Sequence, residues 1–196
     1  MKDRFSAFPL FAALFLALAG FLGSTSAHAT LALGAAAPDF TIMAALSGSA
    51  FDFNLARTLK KGPVVLYFYP KAFASECTIE AHAFAEASTQ FKALGATVVG
   101  VSGDSIETLK LFSRTECRRK FAVAADAGAR VMRKYDAVRD PVAGVAERVS
   151  YLISPQGRVL HVHAGLDADG HVQKSLAALK QWKRRAASTV PPTKTR

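Results

Sequence analysis

The chain carries two cysteines, Cys77 and Cys117. Cys77 follows a loop of small residues and stands where a run of good helix formers begins. The start of a helix presents unpaired N–H groups and a partial positive charge, which favour a thiolate, the form of sulfur that attacks electrophiles. On placement alone Cys77 reads equally well as a nucleophile or as a buried, inert thiol. Cys117 ends a second expected helix among Arg114, Arg118, Arg119 and Lys120, cations that favour its thiolate. Arg148 opens a later apolar run and by itself reads as a surface charge at a sheet edge. His161 and His163 point to one face of an expected strand, with His171 near in sequence; without a clear third ligand they read as ordinary strand histidines, and no metal is assigned. Asp104, Asp126 and Asp136 read as caps and turn residues. There is no Gly-rich phosphate loop, and no cofactor is expected.

The elements that must position these groups emerge from apolar patterning. Phe40, Ile42 and residues 51–55 flank a turn-rich stretch and suggest a small hairpin. Residues 64–69 (VVLYFY) form a continuous β-branched and aromatic run, the mark of a strand buried on both faces, and Pro70 ends it. From Cys77 to Phe91 the apolar positions Ile79, Ala83, Phe84, Ala87 and Phe91 recur at helical spacing, and Gly95 closes the helix. A second strand spans 96–102. Asp104 or Ser105 caps a helix reaching about Cys117. A third strand (121–125), a short helix (129–135), two strands (148–154 and 158–163) around Pro155-Gln156-Gly157, and a terminal helix (172–185) complete the chain. Strands alternating with helices predict an α/β fold, a mixed central sheet with helices on both faces.

Residues 67–81 (YFYPKAFASECTIEA) resemble the active-site segment of peroxiredoxins of the AhpC/TSA type, most closely the bacterioferritin-comigratory or Q-type group. In that family an aromatic strand leads to a Pro, then three residues, a Thr or Ser, two more, and the peroxidatic Cys. Pro70 and Cys77 have that spacing, and Thr78 and Glu80 fit the Cys-Thr-x-Glu continuation. Residues 148–153 (RVSYLI) look like the strand that brings an arginine over the cysteine; 37–40 (APDF) fit the usual opening and 99–102 (VGVS) the second strand. The resemblance implies a thioredoxin-like fold over residues 30–187. It also implies a thiol-dependent peroxidase acting on hydrogen peroxide or alkyl hydroperoxides through a sulfenic acid at Cys77. Arg148 would stabilise thiolate and peroxide, and Pro70 would shield the pocket. A permanently charged guanidinium suits charge spread over sulfur and both oxygens.

Two positions depart from the pattern. The Thr/Ser site is Ala74, which has no hydroxyl to offer; Ser75 next to it is a candidate substitute donor after a modest loop shift. Glu76 replaces a residue that is often Gly and sets a carboxylate beside the sulfur, which works against a thiolate. These changes leave open a slow or inactive relative, a redox sensor or binding module. Position 82 is His, so the same-helix resolving cysteine of some members is absent. Cys117 is then the internal candidate, an arrangement that some Q-type relatives resemble; the alternative is an inert Cys117 and an external thiol. A thiol–disulfide oxidoreductase is disfavoured because position 80, where a second cysteine would stand, is Glu.

Composition frames the setting. Apolar residues make up 51% and charged residues 20%, ordinary for a globular domain able to bury a core without disulfides. Lys2 and Arg4, the apolar run 8–23 and Ala27-His28-Ala29 form a secretory leader (1–29) with cleavage expected after Ala29. That implies an exported protein, periplasmic or secreted, with membrane contact only if the leader stays uncleaved. The net charge is +10, with Lys180, Lys183, Arg184, Arg185, Lys194 and Arg196 clustered at the end. Export and the lack of interleaved aromatics argue against nucleic acid. Residues 188–196 read as a disordered basic tail. The expected partners are a peroxide and a thioredoxin-like or small-thiol reductant, with the chain a monomer or homodimer.

Overall fold

A computed structural model describes residues 30–188. The expected leader, and the expected tail beyond Ser188, lie outside the described residues. In chain order the elements are β1 (Thr41–Leu46), β2 (Ser49–Asn54), α1 (Leu55–Leu59), β3 (Val64–Phe68), α2 (Ser75–Ala93), β4 (Thr97–Ser102), α3 (Ile106–Thr115), β5 (Ala122–Ala125), α4 (Arg130–Lys134), β6 (Val138–Asp140), β7 (Val145–Ala146), β8 (Val149–Ile153), β9 (Val159–Ala164) and α5 (Ala168–Ser188). The main sheet has seven strands in the order β2-β1-β5-β4-β3-β8-β9. β3, β4 and β5 run parallel, and the flanking strands pair antiparallel.

β3 lies inside this sheet, and its all-apolar sequence is explained by burial on both faces. Val64, Leu66 and Phe68 face one core with Phe40, Met132, Tyr135 and Tyr151. Val65, Tyr67 and Tyr69 face the other with Phe84, Phe91, Leu109, Phe112 and Leu176. α4 covers the first core, while α2, α3 and α5 cover the second. The mixed sheet with helices on both faces is therefore as the sequence predicts.

The differences are local. The hairpin expected near 40–55 joins the main sheet, because Ala44 and Ala45 of β1 pair with Ala124 and Val123. The β6–β7 ribbon escaped the sequence, since strands of three and two residues are too short to show alternation. α2 begins two residues before Cys77. α3 stops at Thr115, which leaves Cys117 in the turn after it. α5 starts at Ala168 rather than at 172 and runs through Ser188, the first residue of the expected tail.

Register decides what meets at the end of β3. Phe68 pairs with Val149, so Arg148 stands just beside the point where the chain leaves β3 for the loop to α2. α2 is seated by an aromatic stack in which the Phe84 ring lies 4.4 Å from Tyr67, and Tyr67 lies 5.4 Å from Tyr69. Tyr67 rests over Gly100 of β4, where a Cβ would come within 2.7 Å of the ring. Gly100→Ala is expected to displace Tyr67, loosen α2 and destabilise the protein by about 1–3 kcal/mol. Denaturant unfolding checks this, and an unchanged midpoint would show that the Tyr67–Phe84 stack does not seat the helix.

Candidate active site

The loop between β3 and α2 is tied down at both ends. Tyr69 N–H still donates to Val101 O at 3.1 Å, and Pro70, half-buried, then ends the ladder. Ala72 N–H donates to Asp104 Oδ2 at 2.7 Å, an oxygen that also accepts from the Ser102 hydroxyl at 2.8 Å. Asp104 therefore anchors this loop, while Ser105 alone caps α3 by accepting from Thr108 N–H at 3.2 Å. No sequence spacing announces that role, because the contact spans β4 and a parallel crossover. Asp126 does cap α4, accepting from the amides of Arg130, Val131 and Met132. Phe73 adopts φ 63°, and its ring meets Phe112 edge-on at 5.1 Å. Ala74 is the N-cap of α2 and supplies no side-chain hydrogen bond, so the missing hydroxyl is missing as a helix cap as well.

Cys77 lies in the first turn of α2 and is 3% exposed. Arg148, 6% exposed, reaches across from the start of β8 and donates from Nη2 to Cys77 Sγ at 3.4 Å. Its Nη1 donates to Glu80 Oε2. Glu80, fully buried, is one helical turn after Cys77, so the two side chains share a face and the guanidinium fork spans both. The sequence offered Glu80 only as part of a motif; here it is the buried partner that orients Arg148. Burial pushes the Glu80 carboxyl up from 4.5 to about 8, with Arg148 opposing the rise. Burial thus favours the protonated form of Glu80, while the guanidinium it holds favours its carboxylate.

His171 of α5 closes the site from behind, with Nδ1 3.9 Å from Glu80 Oε1. Nε2–H donates to Gly165 O at 2.9 Å, so Nδ1 accepts from the Ser150 hydroxyl at 2.7 Å. Burial holds His171 down to about 4, and it is neutral. A cavity of about 360 Å³, lined by Asp136, Glu147, Gly165 and Leu166 among others, reaches Arg148 from the β8–β9 side. The arrangement can hold negative charge that develops at or beside Sγ, with one fixed cation and the open amides of the first turn of α2.

Not every expected residue joins this cluster. Ser75, the first residue of α2, is exposed and makes no hydrogen bond to the sulfur, so the substitute donor is not formed in this state. Cys117 is fully buried, and both thiols are free. Burial pushes its thiol well up, and Glu116 adds to the rise, which overturns the expectation that its basic neighbours favour a thiolate. Those neighbours are exposed, and Arg118 pairs with Glu86 at 3.1 Å. Position 82 links α2 to the Cys117 turn, since His82 Nε2 meets Glu116 Oε2 at 2.8 Å. The His163 and His171 rings lie 4.6 Å apart, with Lys174 Nζ 3.4 Å from His163; among the described residues no group of three ligands forms.

The two buried titrating groups give opposite pH slopes. Unfolding releases a proton from Glu80 between pH 4.5 and about 8, and takes one up on His171 between about 4 and 6.5. The Glu80 contribution is complete below its unfolded value and is lost as pH rises through about 8; the His171 slope opposes it only below 6.5. Stability is therefore expected to fall from pH 6.5 to about 8, with the fall absent in Glu80→Gln. Urea unfolding across that range checks the sign, and an equal fall in the variant would move the slope to another group.

Residues 33–162 match the family model described as the AhpC/TSA family. The chain is 30% identical over 163 residues to the chloroplastic peroxiredoxin Q of Sedum lineare, covering 83% of this chain and 85% of that protein. It is 32% identical over 126 residues to peroxiredoxin Bcp of Xanthomonas campestris pv. campestris, covering 60% and 76% respectively. Among solved structures, peroxidoxin BcpB of Mycobacterium tuberculosis matches with a TM-score of 0.70 and 28% identity over 76% of this chain and 96% of that one. A PrxQ mutant of Xylella fastidiosa matches with a TM-score of 0.70 and 26% identity over 79% and 99%. The sheet and its flanking helices are thus the thioredoxin-like fold of peroxiredoxins. With a match that runs from the lead-in segment into β9, the chain belongs to the AhpC/TSA peroxiredoxin family.

Proposed function

We propose that this chain is a thiol peroxidase in which Cys77 is the attacking sulfur. The observation that carries the reading is the Arg148 guanidinium, held by Glu80 and donating to Cys77 Sγ at 3.4 Å in the first turn of α2. The thiolate attacks one peroxide oxygen. The S–O bond forms as the O–O bond breaks, sulfur is oxidised to the sulfenic acid, and the second oxygen leaves as hydroxide or alkoxide to be protonated by water. A thiol then attacks the sulfenic sulfur, expels water and leaves a disulfide for an external thiol to reduce. Arg148 stabilises charge on sulfur and both oxygens, and Pro70 keeps water from the thiolate. We also propose that residues 1–29 are a leader and the protein is exported; an N-terminal sequence of the mature chain beginning at Thr30 is the expected result, and an intact Met1 would overturn it.

Resolution by Cys117 requires the turn at 117–120 to open, because that thiol is fully buried and two pairs, His82–Glu116 and Arg118–Glu86, hold the turn against α2. In the closed state an external thiol is the resolving group. Mass analysis after one equivalent of peroxide separates the routes. A 77–117 bridge that forms faster in the Glu86→Ala/Glu116→Ala double variant supports opening of the turn. A free Cys117 in both proteins leaves resolution to the external thiol.

Peroxide consumption with a small-thiol donor tests the main reading. Cys77→Ser is expected to abolish turnover, and Arg148→Ala to lower it by about 10²–10³-fold, the usual cost of losing one charge-stabilising donor. Ser75→Ala is expected to leave it unchanged. Ala74→Thr restores both a cap and a hydroxyl, so it is expected to add about 1 kcal/mol of stability and to raise the rate. Peroxidase activity that survives Cys77→Ser would sink the proposal.

A further inference from the structure

A second cavity, of about 410 Å³, lies at the far end of α2, between the last turns of that helix, the β1–β2 hairpin and the starts of β4 and β5. Along the helix it is roughly 16–22 Å from Cys77, from the residues between 88 and 92 at ~1.5 Å rise each. Its volume falls in the range of small-molecule sites, about 300–1,000 Å³. Phe51, Phe53, Phe91, Phe121 and Val98 contribute apolar walls. Lys61, Lys92, Arg119 and Lys120 also line it; all four are exposed, and among the described residues none is in a salt bridge with a carboxylate. No Asp or Glu lines the cavity. Ser88 lines it from α2. The residue is 4% exposed, and its hydroxyl is the only one that α2 contributes to the lining.

We propose that this cavity binds a single-chain fatty carboxylate, with its alkyl chain on the phenylalanine walls and its carboxylate among the four cations. Charge complementarity selects the head group, because four unpaired cations with no acid among them favour an anion. The walls select the tail. Phe53, Phe91 and Phe121 are almost fully buried, so Phe51 and Leu46 supply the exposed apolar surface, and an alkyl chain needs only such contact. The Ser88 hydroxyl supplies a hydrogen bond to a carboxylate or to a water beside it. The expected tail (STVPPTKTR) has the wrong sign to fill this rim.

Calorimetric titration of the full chain with dodecanoate below its micelle concentration tests the proposal. The expected result is one saturable site, weakened at least tenfold by the double reversal Lys92→Glu/Lys120→Glu, with a neutral dodecyl glycoside also at least tenfold weaker. Both reversed residues are exposed, so folding is retained, and circular dichroism confirms it. Absence of saturable binding overturns the proposal, as does binding that is indifferent to the charge reversal. Binding that appears only after removal of residues 1–29 overturns it in favour of the leader as occupant. Concentration-dependent self-association abolished by the same reversals overturns it in favour of a second copy of the chain. Peroxide turnover is expected to survive the reversals, so loss of dodecanoate binding and loss of the Cys77 reading are distinguishable.

Discussion

One guanidinium stands between a sulfur and a carboxyl in a largely buried site. Arg148 donates to both Cys77 and Glu80, and all three are nearly or fully buried. A lone buried cation is costly unless something nearby balances it. Much of the surrounding structure can be understood as meeting that condition. β3 must be apolar on both faces so that the loop after it sits in the interior. β8 must run antiparallel beside β3 so that its first residues meet that loop. α2 must present Cys77 and Glu80 one turn apart so that a single fork reaches both. Burial keeps His171 neutral while Ser150 and Gly165 hold its ring in place, which denies the site a second cation.

The same geometry accounts for why the Glu80 carboxyl is pushed above its ordinary value. A carboxylate deprived of water is unfavourable, and a single ion pair offsets only part of that cost. Two anions competing for one arginine would be worse still. Burial, by favouring the protonated form of Glu80, opposes full neutralisation of the guanidinium that it holds. Replacing this carboxyl by a permanently ionised group would tie Arg148 up.

Much of this site was legible in the sequence because its core is local. Pro70, Cys77 and Glu80 fall within one loop and one helical turn, and Arg148 opens a strand whose apolar run is plain. The unread parts depend on long-range pairing. Asp104 looked like a cap because it sits before a helix, yet its carboxylate turns to the Ala72 amide across the sheet. Cys117 looked activated because its sequence neighbours are basic. The turn sends those cations to solvent and the thiol into the core, and sequence proximity says nothing about that difference in direction. The β6–β7 ribbon, and the pairing of β1 with β5 through two alanines, carry too few residues to announce themselves.

At position 74 a single hydroxyl could serve two purposes, and alanine serves neither. Ala74 occupies the N-cap of α2, where a hydroxyl would accept a first-turn amide and also face the sulfur. The helix still forms without those contacts, because Phe84 on Tyr67 and the Asp104 anchor hold it from either side. The first-turn amides are then left unclaimed by any side-chain cap. Such amides point out of the start of the helix, whose first turn carries Cys77. The loss of a fixed hydroxyl therefore leaves the helix terminus itself as the second source of stabilisation after Arg148. A site built this way leans more heavily on its arginine than one with a hydroxyl at position 74, and Glu80 is what holds that arginine against the sulfur.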